Sequence, residues 1–305
     1  MAETQTMYHS LEELIKDRYG EQVSIAKSDR VSGGDINQAY RVELSSGEYL
    51  FVKANSMDHV NFFLTEQTGL EALRSTGKIG VPKILGLGTD HPRGISFLTM
   101  EYIGGAFRSS SYWEIFGREL AGMHRAECQS FSGSGGSGCS YGFVVDNYIG
   151  ASPQKNSPKE KWVDFYRECR LLPQLTMAER YLDSAVRKKA VRLLDHLEDY
   201  MREPQFPSQL HGDLWSGNVI CGKDGKAWLI DPAAYVGDYE TDLAMLQLFG
   251  NPPERFWRAY CESNPMDRRG YAERRALYQL YHLLNHLNLF GKAYLGSVVE
   301  IIARF

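Results

Sequence analysis

Apolar positions along this chain recur with two different periods, and the change from one to the other divides it. In SLEELIKDRYG, Ser10 precedes Glu13 by three residues and Gly20 closes the run, which marks a short capped helix. The runs AYRVEL and YLFVKA, separated by SSGE, are rich in aromatic and β-branched residues and predict a hairpin from Ala39 to Ala54. From Val60 to Thr76, Phe63, Leu64, Leu70 and Leu73 follow helical spacing, and Gly77 ends the helix. VPKILGLG and ISFLTMEYI return to strand character before Gly104-Gly105 breaks the pattern, where a connection between two lobes is expected. Helical spacing dominates afterwards. Tyr112, Phe116, Leu120 and Met123 share one face, Val186, Leu193, Leu194, Leu197 and Met201 recur in a helix expected from Thr176 to Met201, and Tyr271 to Phe290 reads as a last long helix. FSGSGGSGCS, Phe131 to Ser140, is too rich in Gly and Ser to bury a core and reads as a surface loop. The pattern predicts an α+β protein with a β-rich lobe over residues 1–103 and a mainly helical lobe over 104–305.

Composition narrows the partners. A chain of 305 residues is long enough for two cores, and two cores imply a cleft. A net charge of −4 gives no reason to expect nucleic acid. No apolar run approaches the roughly 20 residues a membrane span requires. The start MAETQTMYHS has no secretory character, so a cytoplasmic protein without a membrane partner is expected. Cys128, Cys139, Cys169, Cys221 and Cys261 form no C-x-x-C pair, which argues against zinc and structural disulfides.

The candidate chemistry begins in VSGGDINQAY, where Gly33 and Gly34 would let backbone N–H groups approach phosphates with no Cβ in the way; a plain turn is the alternative. Lys53 lies late in an apolar strand and must reach water or a negative partner. Glu66, in the following helix, is the natural partner and Glu71 the fallback. In LHGDLWSGNVI, Asp213 and Asn218 stand five apart, and Asp231 closes the apolar strand AWLID thirteen residues later. Phosphoryl transfer needs a carboxylate beside the attacking hydroxyl and oxygen ligands for magnesium. Asp213 suits the first role, and Asn218 with Asp231 the second. His211 reads as the residue that holds the loop in shape, and Trp215 as a wall of the acceptor site or a core residue. Asp238, Glu240 and Asp242 read mainly as carboxylates at a helix start. A glycine-rich turn, strand Lys, helix Glu, hinge, H-x-D-x-x-x-x-N and strand-end Asp, in that order, point to ATP-dependent phosphotransfer.

These motifs resemble the eukaryotic-protein-kinase-like superfamily and, within it, the fructosamine kinase (ketosamine-3-kinase) family. The likeness rests on LHGDLWSGNV, SGGDIN, FVKAN, EALRSTG, VPKILGLG, FLTMEYI, YGFVVDNYIGASPQKN, IDPAAYVGDYE and YHLLNHLNLFG. It implies a two-lobed protein-kinase-like fold and ATP- and Mg2+-dependent phosphorylation of the 3-hydroxyl of ketosamines, free or protein-bound, whose unstable product then releases the amine. The resemblance makes Asp213 the catalytic base and Asn218 and Asp231 the magnesium ligands. It assigns Gly33, Gly34, Asn37, Lys53 and Glu66 to ATP, with the hinge backbone of Met100, Glu101, Tyr102 and Ile103 against adenine. Asp146, Asn147 and Trp215 fall on the sugar side. Some members carry Cys where this chain has Asp35, which argues against redox control through a cross-linked loop. Two other readings stay open: a kinase of the same fold for an aminoglycoside or choline, and a nucleotide-binding scaffold without turnover.

Overall fold

The structure is a computed structural model that describes residues 7–31, 36–133 and 141–305. Gly33, Gly34 and Asp35, and most of the Gly/Ser-rich run after Phe131, lie outside the described residues. Six strands make the sheet of the first lobe: β1 (Met7–Tyr8), β2 (Ile25–Val31), β3 (Gln38–Leu44), β4 (Tyr49–Ser56), β5 (Ile84–Asp90) and β6 (Ile95–Glu101), in the order β1-β5-β6-β4-β3-β2. The expected hairpin is β3–β4, with Ala39 opposite Lys53. The pairing of β1, parallel to β5 with Met7 opposite Leu87, was not anticipated, because a two-residue strand is too short to show a period.

Strand alternation divides the sheet into two faces. Val42, Leu44, Leu50, Val52 and Phe97 point to one side and pack with Tyr8 against Leu14 and Ile15 of α1 (Leu11–Tyr19). Ser10 Oγ caps this helix by accepting from the Glu13 amide at 3.0 Å. The Glu13 carboxylate reaches back to the amide of His9 at 2.6 Å, so the capping box closes one residue early. On the other side lies α2 (Val60–Ser75), buried through Phe63, Leu70 and Leu73, each side chain contributing about 1.5–3 kcal/mol of burial. Leu64 falls off that stripe and is 37% exposed. The α2 residues, with Leu98 and Met100, share one large core with Phe116, Leu120, Leu243 and Leu284, so a single apolar cluster joins the sheet to the helical region.

That region holds α3 (Tyr112–His124), α4 (Trp162–Tyr166), a π-helical turn at Arg167–Leu171, α5 (Leu172–Ala178), α6 (Ser184–Asp195), α7 (Glu240–Leu248), α8 (Glu254–Ser263), α9 (Tyr271–Phe290) and α10 (Leu295–Arg304). Helix α9 has the predicted bounds. The helix expected from Thr176 to Met201 is broken instead. Leu182 is extended, and the Asp183 carboxylate accepts from the Val186 amide at 2.9 Å, so a strong N-cap starts a new helix that ends at Asp195, well before Pro204. Three short antiparallel pairs complete the fold: β7 (Asn147–Ile149) with β8 (Ser152–Gln154), β9 (Ser208–Leu210) with β12 (Tyr235–Gly237), and β10 (Val219–Cys221) with β11 (Ala227–Leu229). Among the described residues no helix is long and apolar enough to cross a membrane.

Candidate active site

Residues 211–218 link β9 to β10, and the segment with Asp231 links β11 to β12, so two small sheets bring both loops to one place. Backbone bonds join them: Ala233 N donates to His211 O at 2.9 Å, and Ile230 N to Asn218 O at 3.1 Å. Gly212 is required here, because its φ is +80° and a Cβ would lie 2.0 Å from Ala233 O.

His211 is fully buried and supports this loop. Its Nε2 lies 2.8 Å from Ile230 O, and its Nδ1 is 3.2 Å from the Asp213 amide, which fixes a neutral ring with the proton on Nε2. Burial holds its pKa below the ordinary value. Asp242 sits behind the loop and accepts from His211 N at 2.7 Å and Gly212 N at 2.9 Å, with His124 Nε2 at 3.3 Å. Burial pushes the Asp242 carboxyl up, but the hydrogen bond and charge of His124, with His211, outweigh it and leave it below the usual carboxylate range.

The expectation of helix-start carboxylates holds, since Glu240 and Asp242 lie in the first turn of α7 and Asp238 accepts from the Glu240 amide at 3.0 Å. Asp238, Glu240 and Asp242 are all buried. Glu240 pairs with Arg274 at 2.6 Å and Arg202 at 3.0 Å, and Asp238 accepts from Tyr278 at 2.9 Å. A buried carboxylate keeps its charge only with such partners, and none of the three is left to form an acidic wall.

The face with Asp213 and Asn218 lies on the opposite side of the loop. Asn218 Nδ2 donates to Asp213 O at 2.9 Å and to Asp213 Oδ2 at 3.1 Å, which leaves the Asn218 carbonyl oxygen as the acceptor. Burial, with the charges of Asp231 and Asp242, pushes the Asp213 carboxyl up to about 7, against the pull of Asn218. Alternation along β4 turns Lys53 toward α2, where Nζ meets Glu66 Oε1 at 2.5 Å and Asp231 Oδ1 at 2.5 Å. Burial alone would lower the lysine pKa; the two carboxylates override it and raise it. The fallback partner Glu71 bonds Gln67 instead, at 3.0 Å. Asp231 is the one non-glycine with positive φ among the described residues, at 55°, a strained turn that points its carboxylate at Lys53.

Other predicted positions differ in how much bonding capacity they keep. Asn37 Oδ1 accepts from Asn55 Nδ2 at 2.8 Å, so Asn55, which sequence reading passed over, ties the end of the glycine loop to β4. At the hinge Met100 is buried opposite Phe51, and Glu101 bonds Lys83 through both its amide (3.0 Å) and its carboxylate (2.6 Å). Tyr102 packs on Tyr49, and the chain past Ile103 is bound to β10 by Ala106 N donating to Cys221 O at 2.8 Å. Trp215 is 37% exposed beside Asp213 and meets Phe249 edge-on, so core packing does not explain it. Its ring covers Gly217, where a Cβ would lie 2.4 Å from it. Asp146 is exposed and accepts from Asn156 N at 2.7 Å. Asn147 is buried and bonds Ala234 O, Gln154 and Asn156, each at 2.8 Å, so it braces the segment after Asp231 from within.

The lobes and this loop architecture are those of a protein-kinase-like fold. A macrolide 2'-phosphotransferase from Brachybacterium faecium shares it, with a TM-score of 0.60 over 94% of this chain and 96% of its own; at 14% identity the likeness is of fold alone. A sequence model of the fructosamine kinase family matches residues 7–305, and the chain belongs to that family. It is 39% identical to the chloroplastic protein-ribulosamine 3-kinase of Arabidopsis thaliana over 93% of this chain and 83% of that one. A Haemophilus somnus crystal structure that carries the name fructosamine-3-kinase superposes with a TM-score of 0.84 at 28% identity, covering 98% of this chain and 97% of that one.

Proposed function

We propose that this chain is an ATP-dependent kinase of the 3-hydroxyl of ketosamines, fructosamine or ribulosamine adducts of lysine, free or in protein, and that the product's breakdown returns the amine. The observation that carries the reading is the single Lys53 cation spanning Glu66 and Asp231, which sets a positive charge beside the carboxylate that closes β11. On this reading residues 1–103 are the ATP-binding lobe and 104–305 the catalytic lobe. Lys53, held by Glu66, orients the nucleotide phosphates. Gly33, Gly34 and Asn37 belong to the phosphate loop, and Met100 to Ile103 line the adenine side.

Asp213 takes the proton of the attacking hydroxyl. The acceptor must come within hydrogen-bond reach of that carboxylate, and a carboxyl near 7 exchanges protons at neutral pH. The donor set suits magnesium: the Asn218 amide nitrogen is committed to Asp213 and its oxygen is not, while Lys53 engages one oxygen of Asp231 and leaves the other. Mg2+ held there would neutralise charge on the β and γ phosphates. On the sugar side Trp215 supplies a wall and Asp146 an exposed carboxylate, while Asn147 braces the segment after Asp231 from beneath. The aminoglycoside alternative loses ground, because the acidic residues a polycation would need are buried and paired. The protein is placed in the cytoplasm on this reading.

The test is ADP release by purified protein with magnesium ATP, comparing ribulosamine and fructosamine adducts of lysine with an aminoglycoside and choline. Turnover with the ketosamines is the expected result. Turnover with only another alcohol would keep the mechanism and discard the substrate.

A further inference from the structure

Trp215 is the first ring of a series that leaves the active site. Its ring lies 6.1 Å from Phe249, Phe249 lies 5.0 Å from His286, and His286 lies 5.5 Å from Phe290 and 5.0 Å from Tyr294. Three separate segments supply these rings: the catalytic loop, the end of α7, and the end of α9 with the turn after it. Tyr294 packs against the main core, but Trp215, Phe249 and Phe290 do not serve as core. Trp215 is 37% exposed, Phe249 40% and Phe290 55%, a continuous aromatic patch of the kind that soluble proteins keep for contacts. Burial holds the His286 pKa below its ordinary value, so at neutral pH it adds a ring and no positive charge.

We infer that this strip, running outward from Trp215 through Phe249 and His286 to Phe290, is the subsite for the amine carrier of the ketosamine: the alkyl stem of a glycated lysine and the peptide around it. The inference rests on the proposed function. In a ketosamine the nitrogen is on the first carbon and the reacting oxygen on the third, so when that oxygen meets Asp213 the nitrogen is close by and the carrier must leave over a neighbouring surface. Trp215 is an exposed ring two residues after Asp213 in the same loop. The nitrogen is an ammonium, which aromatic faces attract, and the methylene stem of lysine covers apolar surface readily. A strip of several rings is longer than a small amine can use, so its full length distinguishes a peptide carrier from a small one.

The test compares kcat/KM with magnesium ATP for two ribulosamines, one on methylamine and one on the lysine of a capped tripeptide, in the wild type and in Phe249→Ser and Phe290→Ser. Both positions are exposed, so folding is preserved, and Val191→Ser, 57% exposed on α6, is the control. Loss on the peptide substrate at least about fivefold greater than on the methylamine one, expressed through KM, is the expected result. Equal losses on both substrates, or none, would overturn the subsite and leave the proposed function standing. A wild type that phosphorylates neither ketosamine would overturn both.

Discussion

The two sides of the loop at residues 211–218 use the same residue types for opposite ends. Behind it, every oxygen of Asp242 is committed, to two loop amides and to His124, and the carboxylate is closed off from water. In front, Asp213 holds Asn218 through one oxygen, and the Asp231 side chain is 41% exposed with one oxygen on Lys53. A carboxylate whose bonds are all used carries structure, and one with capacity to spare near a cleft is available for chemistry. Burial acts on both. It wins at Asp213, whose pKa rises to about 7, and loses at Asp242, where the interaction with His124 and the hydrogen bonds of the loop amides hold the ionised form.

The sharpest way to break this contrast is Asp213→Asn. It should lower kcat by about 10²–10⁴ while ATP binding, measured by calorimetry, stays near wild type. Lys53→Met comes next, with kcat/KM for ATP expected to fall by about 10² because the phosphates lose their cation, as steady-state kinetics would register. Asp242→Ala, behind the loop, acts through stability. Two loop amides lose their acceptor, and urea unfolding should show a loss of about 2–4 kcal/mol, which the front-side substitution does not produce.

The smallest effect concerns acid. Burial pushes buried His282 down to about 3 from an ordinary 6.5, and its Nδ1 has no hydrogen-bond partner among the described residues. Its folded pKa lies below its unfolded one, so the stability tied to the neutral ring is present above about 6.5 and is lost as pH falls toward 3. His282→Leu should reduce the drop in Tm between about pH 6.5 and 4.5 by about 2–4 °C, as read by thermal melts.

The front of the site was legible because its signals are local or periodic. Strand alternation turned Lys53 toward α2, and the spacing of Asp213 and Asn218 puts them in hydrogen-bond contact. The back was not legible. Asp242 meets His211 across 31 residues and His124 across 118, and no local pattern records such pairings. Asn147 shows the same limit, since a polar residue in a short motif reads alike whether it faces a substrate or is buried, as here, under Ala234. The break at Leu182 was missed because apolar residues kept helical spacing on both sides, while one aspartate cap decided the boundary.

The most direct test of the front site's chemistry is phosphorus NMR of the product formed from magnesium ATP and a ribulosamine adduct of lysine. The expected spectrum has one new phosphate, coupled to the proton on the third carbon of the sugar, growing in step with ADP. A phosphate on any other oxygen, or ADP without a phosphorylated sugar, would contradict the role given to Asp213.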